Sequence, residues 1–195
     1  MKNITQVSPD DDFHKIINLI YHTDKYIYPS MCGFDYDYFV KIMMYNLGTN
    51  SIFSYQNIIK AKINDDIVGI LLSFTKDQLL PILPKNNEIE IRNCYEKVMI
   101  EYFQKSLENI KDNSLYINNL CVNNQYQNSG IGYALIQYIL SNTEYKIITL
   151  DCIENNLPAI KLYKKCGFTI TDRFLGYSGV ENKQFYCLNF EKYLE

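Results

Sequence analysis

Two hydrophobic periodicities alternate along the second half of the chain, and their alternation restricts the fold more than any other feature. Segments of β-type composition are followed by segments whose apolar residues recur at helical spacing. The segments are, in chain order, strand Leu115–Val122, helix Gly130–Leu140, strand Ile147–Ile153, helix Pro158–Lys165, strand Phe168–Phe174 and strand Gln184–Phe190. Strands that alternate with helices predict an α/β domain in which helices cover both faces of a mixed sheet.

The first half adds three strands and three helices to this pattern. They are strand Lys2–Ser8, helix Phe13–Ile20, helix Tyr38–Leu47, strand Ile58–Ile63, strand Ile67–Thr75 and helix Glu88–Ile110. Acidic residues 10–12 stand where a helix N-terminus favours them, and residues 64–66 predict a hairpin turn. Gly48 is expected to end its helix as a C′ glycine, and residues 23–37 to form an irregular connection. Without repeats or linkers, one domain is expected over residues 1–195.

Composition and charge exclude several classes of protein. The chain has 195 residues, of which 47% are hydrophobic and 21% charged, and this composition is globular. The net charge of −3 argues against nucleic-acid binding, which needs a basic face. The longest apolar stretch, Ile67–Phe74, is far shorter than the ~20 residues of a membrane span. Residues 1–12 lack the apolar region of a signal peptide, so we expect a cytoplasmic protein with no membrane partner.

The cysteines and histidines argue against a metal centre. Six cysteines are scattered without a Cys-x-x-Cys pair, and only two histidines are present, His14 and His22. Neither histidine has a third ligand nearby in the sequence. We therefore expect neither a metal site nor a disulfide framework.

A glycine-containing loop after strand Leu115–Val122 carries the strongest chemical signal. Residues 127–132 read Gln-Asn-Ser-Gly-Ile-Gly and open a predicted helix, whose unpaired N–H groups favour an anion. Gly130 and Gly132 lack the Cβ atoms that would hold a phosphate away, although two such glycines also occur where they only aid packing. A dinucleotide fingerprint would need glycine where Leu135 stands, and a P-loop would need lysine where Tyr133 stands.

Two sequence blocks together resemble the GNAT superfamily of acetyl-CoA-dependent N-acetyltransferases. Gln127-x-x-Gly130-x-Gly132 resembles the pyrophosphate loop of that family, Q/R-x-x-G-x-G/A, and it follows Leu120-x-Val122 on the strand as the family prefers. The second block is similar to the family pattern N-x-x-A-x-x-L-Y-x-K-x-G-F and comprises Asn156, Ala159, Leu162, Tyr163, Lys165, Gly167 and Phe168. The order of predicted strands and helices also agrees with the family along the whole chain.

The resemblance implies a fold and a cosubstrate. The fold would be a single, mostly antiparallel twisted sheet of about seven strands, with helices on both faces and a splayed parallel pair of strands, Leu115–Val122 and Ile147–Ile153, in its centre. The pantetheine arm of acetyl-CoA would enter between them and pair with the main chain of Leu120, Cys121 and Val122. The pyrophosphate would lie on the amides of Gln127, Asn128, Ser129, Gly130, Ile131, Gly132 and Tyr133. No metal is implied.

The resemblance also implies catalytic roles. Tyr163 matches the general acid of the family, and a phenol can protonate a departing thiolate while it stays neutral at pH 7. Asn156 would either bind the pantetheine or cap its helix. Asp151 stands where some members carry a glutamate base, and it would act through water or have only an electrostatic or structural role. Glu154 is a second candidate base. Cys152 would be a buried side chain rather than an acyl carrier.

The position of the base on the other splayed strand is different. Some family members carry a glutamate there, whereas this chain has Asn118 and Asn119, and neither can act as a base. This difference keeps an alternative open, a non-catalytic acyl-CoA-binding regulatory module with the same fold. A nucleotide-binding regulator is a third interpretation, which would prefer ATP or NAD to coenzyme A. The leading prediction is an N-acyltransferase that moves an acetyl group from acetyl-CoA to an amine of a small molecule or peptide by direct transfer.

The connection between the first two helices is expected to form the wall of the acceptor site. Aromatic and acidic residues are concentrated there: Tyr26, Tyr28, Phe34, Tyr36 and Tyr38 with Asp24, Asp35 and Asp37, against Lys25 alone. Aromatic rings beside carboxylates suit a cationic amine. The protein would be a monomer or a homodimer, and apolar residues on the last strand, taken as a sheet edge, would permit pairing: Phe185, Tyr186, Leu188 and Phe190.

Overall fold

The computed structural model describes residues 3–24, 27–79, 104, 107–176 and 185–195. These residues contain seven strands: β1 Asn3–Gln6, β2 Ile58–Ile63, β3 Asp66–Thr75, β4 Ser114–Val122, β5 Ile147–Ile153, β6 Thr169–Gly176 and β7 Phe185–Tyr193. The strands form one sheet in the order β1-β2-β3-β4-β5-β7-β6. All neighbours are antiparallel except β4 and β5, which are parallel. The predicted mixed, mostly antiparallel sheet is confirmed.

Six α-helices have both ends within the described residues. They are α1 Phe13–Tyr21, α2 Ile27–Met31, α3 Tyr36–Leu47, α4 Lys76–Leu79, α5 Ile131–Asn142 and α6 Leu157–Lys165. Short 3₁₀ turns precede β2 and α5, at Tyr55–Asn57 and Asn124–Tyr126. The predicted helix Glu88–Ile110 lies largely outside the described residues.

Local chemistry explains where several elements begin. Helix α1 begins after Asp12, whose carboxylate accepts the N–H of Lys15 at 3.3 Å, as the acidic segment predicted. The β2–β3 turn places Asn64 and Asp65 in the left-handed region, with φ of 49° and 64°. Such a turn matches the twist of an antiparallel hairpin, which confirms that prediction.

Each face of the sheet has its own hydrophobic core. Helices α1 and α3 bury Ile16, Ile20 and Met43 against one face, where Tyr116 of β4 also lies. Helices α5 and α6 pack against the other face in a core that includes Leu135. Because successive strand residues point to opposite faces, both cores draw on the same strands.

The parallel pair β4–β5 is hydrogen-bonded over only part of its length. Its register runs from Ser114 opposite Ile147 to Ile117 opposite Leu150 and then stops. Beyond that point β4 continues to pair only with β3, and β5 continues to pair with β7 as far as Ile153. A register shift against β3 at Asn118 marks the point of divergence. The strands therefore open into a gap between residues 118–122 and 151–153, as the sequence resemblance predicted.

Three local predictions are corrected by the structure. Residues 27–31 form the short helix α2, because Asp24 accepts the N–H of Ile27 at 2.7 Å and starts a helical turn. Gly48 ends α3 with a φ of −85° and donates its N–H to Tyr45, so the helix ends without the left-handed glycine. Strand β7 lies between β5 and β6, so it is not an edge strand and its apolar residues offer no edge for dimerisation.

None of the helices in the described parts of the chain has the length and apolar character needed to cross a membrane.

Candidate active site

A cavity of about 550 Å³ occupies the gap between β4 and β5. Its walls come from the open ends of both strands, from the N-terminal turn of α5, from α6, from β6 and β7, and from four residues near the end of α1: Thr23, Asp24, Ile27 and Tyr28. Most of the residues predicted to be catalytic or cofactor-binding line it, including Leu120, Val122, Asp151, Asn156 and Tyr163, whereas Cys121 and Ser129 do not. The topology thus brings residues from both sequence blocks to one site.

The loop between β4 and α5 is held by its own side chains. Gln127 donates from Nε2 to the carbonyl oxygen of Val122 at 3.2 Å and to Oδ1 of Asn124 at 2.9 Å. The hydroxyl of Ser129 donates to the carbonyl of Tyr126. These bonds fix the loop relative to the end of β4, so the side chain of Gln127 acts by positioning the loop.

The N-terminus of α5 presents main-chain donors to the cavity. Gly130 is the N-cap with a φ of 80°, a conformation in which a side chain is strained, and it supplies no side-chain cap. The first helical bond runs from the N–H of Ala134 to the carbonyl of Gly130 at 3.1 Å. The N–H groups of residues 130–133 therefore have no partner within the helix, which suits an anion.

Gly132 lets this helix terminus approach α6. A Cβ atom built at Gly132 would lie 3.1 Å from Cδ2 of Leu162. A side chain there would require the Leu162 side chain to shift. The second glycine of the loop therefore serves close packing beside the cavity.

Tyr163 lies in the cavity wall on α6. Its side chain is 8% exposed, and its ring packs edge-on against Phe190 and Phe168 at centroid distances of 5.5 and 6.3 Å. Burial raises the pKa of the phenol, and the nearby Cys152 and Asp151 raise it further. The hydroxyl makes no hydrogen bond within the described part of the chain. It is therefore a protonated donor at neutral pH, available to a ligand.

Asp151 lies in the wall on β5. Its carboxylate accepts a hydrogen bond from the hydroxyl of Tyr116 on β4. Burial raises the pKa of Asp151, the bond from Tyr116 opposes this effect, and the charge of Asp24 adds to it. A carboxyl group with a raised pKa is a better proton acceptor than an ordinary aspartate, which suits a general base.

A polar cluster lies beside Asp151 at the bulge of β4. The hydroxyl of Tyr28 donates to Oδ1 of Asn119 at 2.9 Å, and Nδ2 of Asn118 donates to the Tyr28 hydroxyl at 2.9 Å. Nδ2 of Asn118 also reaches Oδ1 of Asn119 at 2.7 Å. All three residues line the cavity, so α2 and β4 together form its polar side.

Comparison with known proteins agrees with this geometry. The sequence model of the acetyltransferase (GNAT) family matches residues 24–168. This chain belongs to the GNAT acetyltransferase family. No curated protein is similar enough in sequence to count as a match.

Several solved structures share the fold of this GNAT family member at low sequence identity. An N-acetyltransferase from Staphylococcus aureus Mu50 is 21% identical with a TM-score of 0.69, over 97% of this chain and 100% of that one. An agmatine N-acetyltransferase is 11% identical with a TM-score of 0.64 over 100% of both chains. A chain of the NatC complex bound to Gag peptide and coenzyme A is 14% identical with a TM-score of 0.62, over 100% of this chain and 99% of that one.

Two other residues predicted for the site, Asn156 and Glu154, are hydrogen-bonded within the protein. Asn156 lines the cavity, and its Oδ1 accepts the N–H of Ala159 at 3.3 Å, so it caps α6. Glu154 is outside the cavity wall and is bound by Arg173 at 3.0 and 2.9 Å, which lowers its pKa. Glu154 is therefore not placed to act as the base.

Cys152 and Cys121, which lie on the two strands that diverge, are poor nucleophiles. Burial, together with the charges of Asp151 and Asp24, raises the pKa of Cys152 to about 12. Burial raises the pKa of Cys121 to about 11, although a hydrogen bond with Thr23 opposes it. Cys121 packs against the core beneath α1 and α3, so it would contribute only main-chain atoms to the gap. The expectation that Cys152 is a buried side chain agrees with this environment.

The predicted aromatic wall is only partly present. Asp24 and Tyr28 line the cavity, whereas the other described members of that set do not: Phe34, Tyr36, Tyr38, Asp35 and Asp37. Asp35 instead caps α3 by accepting the N–H of Tyr38 at 3.0 Å. Tyr36 packs edge-on against Tyr21 at 4.9 Å. Tyr26 and Lys25 lie outside the described residues.

Several lining residues were not selected from the sequence. Thr23 reaches the cavity because α1 ends nearby. Phe185 and Cys187 reach it because β7 lies next to β5, and Phe174 of β6 lies opposite Cys187. Lys165 also lines it, with Nζ 5.0 Å from the ring centre of Tyr133. The sequence feature that could have identified Lys165 as a lining residue is its place in the second sequence block. Among the described residues, no group of three histidine, cysteine or acidic side chains could hold a metal ion.

Proposed function

We propose that this protein transfers the acetyl group of acetyl-CoA to an amine of a small molecule or peptide, by direct transfer with both substrates bound. The gap between residues 118–122 of β4 and 151–153 of β5 carries this proposal, because a strand edge is left without a neighbouring strand there. An extended chain with amide groups, such as pantetheine, can pair with such an edge. The family of the chain supports the acetyl-CoA chemistry.

The residues along the cavity fit the parts of this cosubstrate in order. The main-chain donors of residues 130–133 suit the diphosphate. The edge of β4 at Leu120, Cys121 and Val122 suits the pantetheine arm. Asp151 directly follows the last residue of β5 that pairs with β4, and Tyr163 lines the same cavity, so we expect the thioester to lie between a proton donor and a proton acceptor.

The transfer needs balanced proton movements. The amine nitrogen attacks the thioester carbonyl, a C–N bond forms, the C–S bond breaks, and the electron pair leaves with sulfur. Asp151 receives the amine proton through water, and Tyr163 donates a proton to the departing thiolate. Holding both substrates together contributes further, about 7–11 kcal/mol in favourable cases.

The substitution Tyr163→Phe tests the chemistry. Removal of the hydroxyl should lower kcat by about 100-fold or more, because the thiolate leaves without a proton. The affinity for coenzyme A should stay the same, since the ring and its packing remain. Release of free thiol during turnover and isothermal titration with coenzyme A measure the two quantities.

The matched control is Tyr138→Phe, on α5 and outside the cavity wall. It should leave both kcat and coenzyme A affinity at the wild-type level. A Tyr163→Phe protein with wild-type kcat would contradict the assigned acid. Binding of coenzyme A with no turnover on any amine would instead favour a non-catalytic acyl-CoA-binding module.

A further inference from the structure

Two carboxylates lie on one side of the cavity. Asp24 and Asp151 both line it, and Asp24 lies just before α2. Burial is the main cause of the raised pKa of Asp151, Cys152 and Tyr28, and the charge of Asp24 adds to the effect at all three. The negative charge of Asp24 therefore affects all three of these side chains. A cation placed there would be attracted by both carboxylates.

The basic side chain in the cavity wall lies on the side of α5, away from Asp24 and Asp151. Among the described lining residues, Lys165 is the one lysine or arginine, and it lies over Tyr133 at the start of α5. Asp151 is hydrogen-bonded by the neutral Tyr116 rather than by a cation within the described chain. The α5 side thus suits a diphosphate, and the side of Asp24 and Asp151 suits a cation.

A second, independent feature marks the acidic side as a ligand site. Asn119 is 1% exposed, yet its Nδ2 has no hydrogen-bond partner within the described residues, and the same is true of the buried Oδ1 of Asn118. Turning both carboxamides over would keep their contacts with Tyr28 and again leave one oxygen and one NH₂ group unpaired. Unpaired buried polar atoms are unfavourable, so this pair favours a ligand that offers an N–H group to Oδ1 of Asn118 and an acceptor to Nδ2 of Asn119, as the N–H groups and lone pair of a neutral amine can.

We infer that the acceptor is a diamine, which lies between Asp24 and Asp151 beside the Asn118–Asn119 pair. The inference rests on the proposed acetyl transfer and names the class of its acceptor. One amine must lose its extra proton to solvent before it attacks the thioester, and Asp151 receives the second proton, which the nitrogen releases as the C–N bond forms. The second amine stays protonated and keeps its attraction to Asp24 throughout the reaction. A carboxylate in its place would be repelled by both acidic side chains.

Isothermal titration of the full chain, saturated with coenzyme A, tests this inference with three small amines. Putrescine carries two ammonium groups, butylamine carries one, and γ-aminobutyrate carries one ammonium and one carboxylate. We expect putrescine to bind about tenfold more tightly than butylamine, from one added charge-assisted contact, and γ-aminobutyrate to bind most weakly. Equal affinities for putrescine and butylamine would overturn the inference. So would binding of coenzyme A without binding of any amine, whereas failure to bind coenzyme A would contradict the proposed acetyl transfer instead.

A pair of matched substitutions assigns the preference to one residue. Asp24 and Asp35 each accept a helix-starting N–H, at 2.7 and 3.0 Å, and asparagine can keep that cap in both places. Asp24→Asn should therefore fold normally and lose most of the preference for putrescine over butylamine. Asp35 lies outside the cavity wall, so Asp35→Asn should keep the wild-type preference. An Asp24→Asn protein that keeps the full preference would overturn the assignment.

Discussion

At the scale of single residues, the bond between Tyr116 and Asp151 sets the pH range of the proposed reaction. Asp151 acts as a base only when it is deprotonated, and burial already raises its pKa. The hydrogen bond from Tyr116 opposes this rise. Tyr116→Phe should therefore raise the pKa of Asp151 further, so that kcat falls at a higher pH on acidification. A profile of kcat between about pH 4 and 9 measures the shift.

Two further variants test whether Asp151 is the group that titrates in that profile. Asp151→Asn should lower kcat and remove the acid limb, because no titrating base remains. Tyr138→Phe removes a phenol outside the cavity wall and should leave the limb where the wild type has it. An acid limb that stays in place in Tyr116→Phe would show that another group accepts the proton.

Residues inside a sequence block could be predicted, whereas residues joined by the fold could not. Gly130, Asn156 and Tyr163 lie in blocks whose spacing is local, and all three line the cavity. The cluster of Tyr28 with Asn118 joins residues 90 positions apart and depends on a bulge in β4. A bulge changes which side chains share a face, and this change cannot be seen in the sequence. From the sequence, the two asparagines therefore showed only that a glutamate base is absent at their positions.

At the scale of elements, a buried ion pair fastens the segment before α1 to β2. Asp11 is 4% exposed in its side chain and pairs with Lys60, which is 7% exposed, and with Lys62 at 3.0 Å. Asp11→Asn should lower the free energy of unfolding by about 3–5 kcal/mol, because a buried lysine loses its counter-charge. Chemical denaturation measures this change.

The pH dependence of stability follows from the same pair. Burial alone would raise the pKa of Asp11, but bonds from Lys60, the Ser8 main chain and Lys62 outweigh it and hold the pKa below its ordinary value. A lowered folded-state pKa contributes stability above the unfolded value of ~3.9, and this contribution is lost as the pH falls below it. Wild-type protein should therefore lose more stability than Asp11→Asn on acidification below about pH 4.

An exposed ion pair provides the control for both measurements. Asp66 pairs with Lys15 on the surface, with side chains 44% and 50% exposed. Asp66→Asn should change the free energy of unfolding by at most about 1 kcal/mol. An equal effect of the two substitutions would contradict the assigned role of the buried pair.

Elements with a local pattern were predicted well, and those set by distant contacts were not. The observed bounds of β2 and β5 agree with the predicted ones, since neighbouring turn residues mark the ends of these β-rich runs. Helix α2 contains Pro29, which resembles a breaker in sequence but is tolerated in a first helical turn. The position of β7 between β5 and β6 is a matter of pairing across the sheet, which no local pattern encodes.

At the scale of the whole molecule, the sheet can open at its centre because each strand of the parallel pair is held from outside. β3 supports β4 along the gap, and β7 supports β5 as far as Ile153. The gap therefore removes pairing only between β4 and β5, which places unpaired main-chain groups inside the molecule. A cosubstrate that supplies the missing partners would restore the sheet.

A crystal structure of the protein with acetyl-CoA tests this claim most directly. We predict that the pantetheine arm lies between residues 118–122 and 151–153 and is hydrogen-bonded to β4, with the diphosphate on the amides of residues 130–133. Acetyl-CoA bound elsewhere on the molecule, with β4 and β5 closed against each other along their full length, would contradict the account.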